Sequence, residues 1–226
     1  MRAKTKLQII GHRGAAGLAL ENSQAAFRAA VKLGVEAELD IHLTRDGVLV
    51  VNHDASLMRT AHDLRTIRRH TWQDLKSVKL RDGSPLLRLE DALHILQPVP
   101  VMIEIKDRGC LGALLAVLAQ NPKNQVVIAS FKHKELVKLK RMDPSLTCFP
   151  LARFWPGEAI SLSRRHKLGG VGIPVWGLNP LSYLIIRRSG LQAYTYTANR
   201  RFMVRLIHRF YPKVAVCTNY PDRFVS

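Results

Sequence analysis

The chain is short of cysteine, of acid relative to base, and of long apolar runs, and each shortage closes off a class of protein. Its three cysteines, Cys110, Cys148 and Cys217, are an odd count, widely spaced and set among small or apolar neighbours. With no CxxC and no metal-ligand spacing they read as reduced structural thiols, which argues against a disulfide scaffold or a cysteine zinc site. No stretch reaches the roughly eighteen apolar residues of a membrane-crossing helix. Only four residues separate Lys6 from Gly11-His12-Arg13, too few for the apolar part of a secretory signal, so a soluble, cytoplasmic protein is expected. Neither GxGxxG nor a P-loop is present.

The shortage of acids is the most unusual feature. Lysine and arginine number 35 against 17 acids, a formal net charge of +18 with a pI near 10.5. Such a field attracts nucleic acid, anionic membrane or phosphorylated substrates. The bases cluster at Arg65–His70, Lys132–Arg141, Arg164–Lys167 and Arg200–Arg209. The second and fourth clusters fall on expected helices, interleaved with Leu, Val and Met rather than with exposed aromatics. They read first as solvated faces, with contact to an anionic membrane as the alternative. Without a basic and aromatic stacking platform, no specific nucleic-acid partner is expected.

The chain is organised around residues 36–54. There Ala37, Leu39, Ile41 and Leu43 alternate with Glu36, Glu38, Asp40 and His42, so a strand has one apolar and one acidic face. An isolated E-x-D strand is more often an exposed edge, but the residues after this one change that reading. Thr44-Arg45-Asp46-Gly47 is a tight-turn signal, Val48–Val51 runs back, and His53-Asp54 arrives beside the acidic pair.

At 226 residues and 47% hydrophobic content, with no linker-like run, the chain reads as one domain over 1–226, with 44–88 a hairpin flap and small insertion. Strands are expected at 7–10, 36–43, 101–106, 126–130, 146–151, 170–174, 192–197 and 214–218. Helices are expected from Asn22 or Ser23 to Gly34 and at 72–78, 89–96, 111–119, 133–142, 157–166, 180–189 and 199–209. If the arm 48–52 is a flap, eight strand-helix units remain, which gives an α/β fold of the (β/α)8 TIM barrel type with a short insertion after strand 2. A doubly wound open sheet is the competing arrangement.

In a barrel, the ends of its first three strands bring His12 with Arg13, Glu38 with Asp40, and Glu104 with Lys106 to one mouth. Three converging carboxylates repel one another unless a cation holds them, and all-oxygen ligands favour a single Mg²⁺ or Ca²⁺ over zinc. Lys106 adds a cation for an anionic substrate. His12 and His53 bring two groups able to accept and donate protons near neutrality. Asp54 either orients His53 or caps the next segment. Glu21-Asn22 caps the first helix, and Glu21 alternatively reaches the metal or the substrate.

These residues lie in a series of motifs: Gly11-His12-Arg13-Gly14, Glu21-Asn22-Ser23, Glu38-Leu39-Asp40, Thr44-Arg45-Asp46-Gly47, His53-Asp54 with Leu57 and Arg59-Thr60, and Leu89-Glu90-Asp91-Ala92-Leu93. They continue with Ile103-Glu104-Ile105-Lys106, Ala129-Ser130-Phe131, Tyr196-Thr197-Ala198-Asn199 and Thr218-Asn219-Tyr220-Pro221-Asp222. In their order the chain resembles the glycerophosphodiester phosphodiesterase family. The resemblance implies a divalent metal on Glu38, Asp40 and Glu104, phosphate contacts from Arg13 and Lys106, and His12 and His53 as the acid–base pair. Glu21, Asn22, Asp54, Phe131 and Tyr196 fall on supporting positions. The implied reaction, a part of lipid and glycerol metabolism, is hydrolysis of diesters such as glycerophosphocholine or glycerophosphoethanolamine to sn-glycerol 3-phosphate and an alcohol.

Two motifs depart from the family pattern. Tyr196 stands where a tryptophan is usual, which changes the wall of the alcohol pocket. Asn219 stands where an aspartate is usual, which is expected to remove a polar anchor at the last loop. The small insertion leaves an open mouth, so a lysophospholipase D acting on membrane lyso-lipids is the alternative enzyme. A non-catalytic barrel that binds anionic surfaces is the alternative outside enzymes. The sequence leaves open the alcohol, the choice of metal, the order of the histidines, the oligomeric state and the role of the excess charge.

Overall fold

A computed structural model describes residues 7–225. Eight parallel strands, β1 (Ile9–Gly11), β2 (Glu36–Leu43), β4 (Val101–Ile105), β5 (Val126–Ser130), β6 (Thr147–Pro150), β7 (Gly170–Pro174), β8 (Gln192–Tyr196) and β9 (Val214–Thr218), follow one another around a sheet. Parallel bridges Cys148↔Gly169 and Leu151↔Gly172 join β6 to β7 and close the ring. The remaining strand, β3 (Leu49–Val51), pairs antiparallel with β2 in the register Ile41↔Val51. The fold is therefore the expected (β/α)8 barrel, with β3 as the returning arm of a hairpin.

Side chains alternate between two cores. Ala37, Leu39, Ile41, Val101, Ile103 and Ile105 point outward and pack with Phe27, Leu89, Leu93 and Leu114 of the surrounding helices. Inside the barrel lie Ile10, Met102, Ala129, Phe149, Leu151, Tyr194, Ala215 and Cys217. The acidic face of β2 thus looks into the barrel, and β2 is a buried central strand rather than an exposed edge. All three cysteines are buried and unpaired, and burial raises the Cys110 and Cys148 thiols to about 11.

The helices are α1 (Gln24–Lys32), α2 (Met58–Ala61), α3 (Trp72–Leu75), α4 (Leu89–Leu96), α5 (Leu111–Gln120), α6 (His133–Met142), α7 (Gly157–His166), α8 (Pro180–Arg188) and α9 (Arg201–Phe210). Ser23 caps α1 by accepting from the Ala26 amide, and Thr71 with Asp74 forms the expected capping box on α3. Several details differ from the sequence reading: helix α3 stops at Leu75, three residues early, and α9 starts two residues late. Strand β1 begins two residues later. Helix α2 was not expected, since four residues ending in a left-handed His62 are too short to show a helical period. The basic row of α9 also lies beside exposed apolar side chains, two of them aromatic: Arg201, Arg205 and Arg209 neighbour Phe202, Leu206 and Phe210 on the solvent face.

The segment between β3 and α4 has an apolar core of its own, with Val50, Leu57, Ile67, Leu75, Val78, Leu80 and Leu86 buried together. It returns to the barrel through the Val50↔Arg88 bridge.

Glu36 is on the inward face of β2 at its N-terminal end, one inward position before Glu38. Burial pushes its carboxyl up to about 7. A carboxyl whose folded pKa is raised costs stability as pH climbs from its unfolded value of about 4.3, and the cost levels off above about 7. Glu36→Gln is expected to stabilise the fold by about 1–2 kcal/mol at pH 8, discounted for partial exposure, and by much less at pH 5. Urea unfolding at the two pH values checks this.

Candidate active site

The turn after β1 is shaped by backbone before any chemistry. A Cβ on Gly11 would collide with the Gly14 carbonyl, and Gly14 itself has φ +85. Between them Arg13 adopts φ 51, which turns its amide toward β2, where it donates to Glu38 Oε2 at 2.8 Å. The loop is thereby fastened to the acidic strand.

Glu38, Asp40 and Glu104 each offer a carboxylate oxygen, and these atoms lie within 4.8 Å of one another. Asp40 and Glu104 are direct partners in the β2–β4 register. Two cations answer them. Lys106 Nζ is 2.9 Å from Asp40 Oδ1 and 2.6 Å from Glu104 Oε1, and Arg13 Nε is 3.3 Å from Asp40 Oδ2. Asn22, held at φ 55, donates its amide to Asp40 Oδ2 at 2.9 Å.

The carboxyls respond unequally. Burial opposes ionisation of Asp40, but Lys106 and Arg13 outweigh it and hold its pKa below the usual range. Glu38 is raised well above its ordinary value, by burial and then by the Asp40 and Glu104 charges. Glu104 is raised by burial despite Lys106. Lys106 and Arg13 are held above their ordinary values because the carboxylates outweigh the cost of burial.

The two expected histidines have different partners. His12 Nδ1 lies 2.6 Å from Asn219 Oδ1, so that nitrogen donates and Nε2 is left as the basic one. Burial, then the Arg13 charge, lowers His12 to about 4. His53 Nδ1 pairs with Asp54 Oδ1 at 2.6 Å. Burial lowers its pKa too, against the pull of the Asp40 and Asp54 charges. Asp54 is itself brought down to about 2, chiefly by its hydrogen bond from Arg59. Arg59 also grips Glu21 with two bonds of 2.7 Å, and Glu21 accepts from Arg13 at 2.7 Å. Of the readings left open, Asp54 orients His53, and Glu21 bridges two arginines instead of capping the helix.

Against this geometry, the model of the glycerophosphoryl diester phosphodiesterase family matches residues 12–109. A glycerophosphodiester phosphodiesterase of Bacillus subtilis is 27% identical over 97% of this chain and 85% of its own. The family model and the curated relatives together support placing the chain with the glycerophosphodiester phosphodiesterases, which are phosphoric diester hydrolases. Human lysophospholipase D GDPD3 is 29% identical over 68% of this chain and 55% of that protein. Among solved structures, an Oleispira antarctica phosphodiesterase in complex with the product sn-glycerol-3-phosphate aligns with a TM-score of 0.89 and 22% identity, covering 96% of this chain and 94% of that one.

Sequence reasoning overlooked several supporting residues. Asn219 does not lose the last-loop anchor: it is a neutral partner of His12, and Asn199 Oδ1 accepts from its backbone amide at 2.9 Å. His42 is buried, bonds Asp107 at 3.0 Å and reaches the His53 carbonyl at 3.1 Å, so it fixes the backbone that carries His53. Its place on the acidic face of β2 was the signal. Asn52 ties the same loop through the Asp54 and Ser56 carbonyls. Farther round the mouth, Tyr196 donates to the Ala152 carbonyl at 2.6 Å and meets Phe131 edge-on at 6.2 Å, which places both on one aromatic wall.

The donor set fits a hard divalent cation: three carboxylates, no thiolate or imidazole among them, and a Glu38 charge left uncompensated by the two basic groups. Ca²⁺ or Mg²⁺ at about 100 times its dissociation constant is expected to add about 2.7 kcal/mol, raising Tm by about 5–10 °C. Glu38→Gln should abolish most of that rise. Calorimetric titration and thermal melts of EDTA-treated protein measure both effects.

Proposed function

We propose that the chain hydrolyses glycerophosphodiesters, glycerophosphocholine and glycerophosphoethanolamine among them, to sn-glycerol 3-phosphate and the alcohol. The reading rests on one observation: two imidazoles with different partners flank a carboxylate cluster already bridged by Arg13 and Lys106. Glu38, Asp40 and Glu104 would hold one Mg²⁺ or Ca²⁺, which when bound withdraws charge from a phosphoryl oxygen. Arg13 and Lys106 neutralise the remaining phosphate charge. With burial and Arg13 keeping His12 neutral at pH 7, its Nε2 is suited to take the proton from a glycerol hydroxyl as that oxygen attacks phosphorus. Burial lowers the pKa of His53, and the Asp54 contact opposes that shift by favouring the imidazolium that would protonate the departing alcohol. Water then opens the cyclic phosphate with the two proton transfers reversed. Three buried, unpaired thiols favour a reducing compartment such as the cytoplasm.

Release of sn-glycerol 3-phosphate from glycerophosphocholine is the direct test. EDTA should stop it and Mg²⁺ or Ca²⁺ restore it, while His12→Ala and His53→Ala should each lower kcat by about 10²–10⁴-fold. Folded protein that stays inactive with both metals would overturn the reading. The neutral partner of His12 gives a second test. Asn219→Asp places a negative charge beside the imidazole and should raise its pKa by about one unit or more. The acidic limb of the kcat/KM profile then moves to higher pH; an unchanged limb rules out His12 as the group that must be deprotonated.

A further inference from the structure

The loops that follow β6 and β7, and the first turn of α9 after β8, sit at the carboxylate end of the barrel and leave large aromatics in solvent. Phe154 is 78% exposed, Trp155 54%, Trp176 73% and Phe202 73%. Exposed aromatics in number at one end of a chain that buries its core mark a contact surface. The first three belong to one patch. A Cβ on Gly177 would lie 3.1 Å from the Phe154 carbonyl, so the two loops touch, and one on Gly157 would come within 2.5 Å of Trp155 Nε1. The indole therefore lies across the start of α7.

Basic residues share this end of the barrel. Arg153 precedes Phe154 in the patch itself, Arg200 and Arg201 precede Phe202, and Lys132 and Lys134 stand at the start of α6. Glu158 is the acid beside it, 3.6 Å from His133. Inward from the patch, the Arg153 guanidinium lies 4.9 Å over the Phe131 ring, and Phe131 meets Tyr196, so aromatic surface runs from the rim toward the carboxylates.

We propose that this rim seats on an anionic phospholipid bilayer and holds the mouth over the glycerophosphodiester head group of a single-chain lipid embedded there. The inference rests on the phosphodiesterase reading for what enters the mouth, but not for the docking. Indoles and phenyl rings partition to the membrane interface, and arginines beside them gain about 1 kcal/mol each at an anionic surface. A second copy is a poorer occupant, because a net charge of +18 repels its like.

Co-sedimentation with phosphatidylcholine vesicles, with and without phosphatidylglycerol, tests the rim. Wild type should bind the anionic vesicles, and Phe154→Ala/Trp155→Ala/Trp176→Ala should bind about 100-fold more weakly while hydrolysing soluble glycerophosphocholine at the wild-type rate. Brominated lipid should quench Trp fluorescence in wild type but not in Trp155→Phe/Trp176→Phe, which keeps only Trp72 of the chain's three tryptophans. Equal binding by wild type and the triple variant would assign attraction to the general charge and overturn the proposal. So would absence of vesicle binding, or a wild-type dimer that the triple variant converts to monomer without any vesicle binding. Because sedimentation needs no turnover, inactive protein that still binds would sink the enzymatic reading and leave the docking standing.

Discussion

Three carboxylates buried within one small volume are the constraint on which the rest of the site depends. At such separations, in a partly dry interior, each like-charge pair costs several kcal/mol at an effective dielectric near 20, and burial adds to the cost. The chain answers locally. Lys106 comes from the strand end that carries Glu104, Arg13 from the neighbouring turn, and Asn22 donates to Asp40 from the helix entry. Even backbone strain is arranged around this need. The left-handed Arg13 and Asn22 are held by contacts to Glu38 and Asp40, so the cluster supports the unusual turn as much as the turn supports the cluster.

The same network joins the insertion to the barrel. Arg59, from the excursion after β3, ties Asp54 to Glu21, and Glu21 returns to Arg13. His53 is consequently held from three sides: by Asp54 on its ring, by His42 on its carbonyl, and by Asn52 beneath the following residues. The buried cluster around Val50, Leu57 and Leu75 gives that loop a rigid support. Side chains from distant parts of the sequence thus meet with few adjustable torsions left between them, which is what proton transfer at a fixed distance requires.

Much of this was legible because strand alternation is local. Strands β2, β5, β7 and β9 and helices α4, α6 and α7 appear with the bounds their patterns gave, since apolar residues recur at spacings that one element alone determines. Each carboxylate of the cluster could be found the same way, from its position on an inward face. The contacts that were missed depend on closure of the ring. His12 and Asn219 are separated by 207 residues and His42 and Asp107 by 65, and no spacing rule connects them. The rim aromatics were missed for a related reason: no local pattern marks Phe154 and Trp155 as exposed, and only the fold leaves them uncovered.

The excess of base and the acidic site act at different ranges. Within about a Debye length of the surface, the +18 charge draws an anionic diester toward the protein, an effect that salt weakens. At the mouth the balance reverses, because Glu21, Glu38, Asp40, Asp54 and Glu104 outnumber Arg13, Arg59 and Lys106, a formal charge of −2 when all are ionised, which is the repulsion that raises Glu38 and Glu104. A phosphodiester reaching that point meets repulsion that the distant arginines do not offset through water. One divalent cation on the three carboxylates would bring the cluster to neutrality and free Lys106 to face the substrate. In the proposed reaction the cation would therefore govern substrate affinity as well as the chemical step, so its removal should raise KM along with lowering kcat.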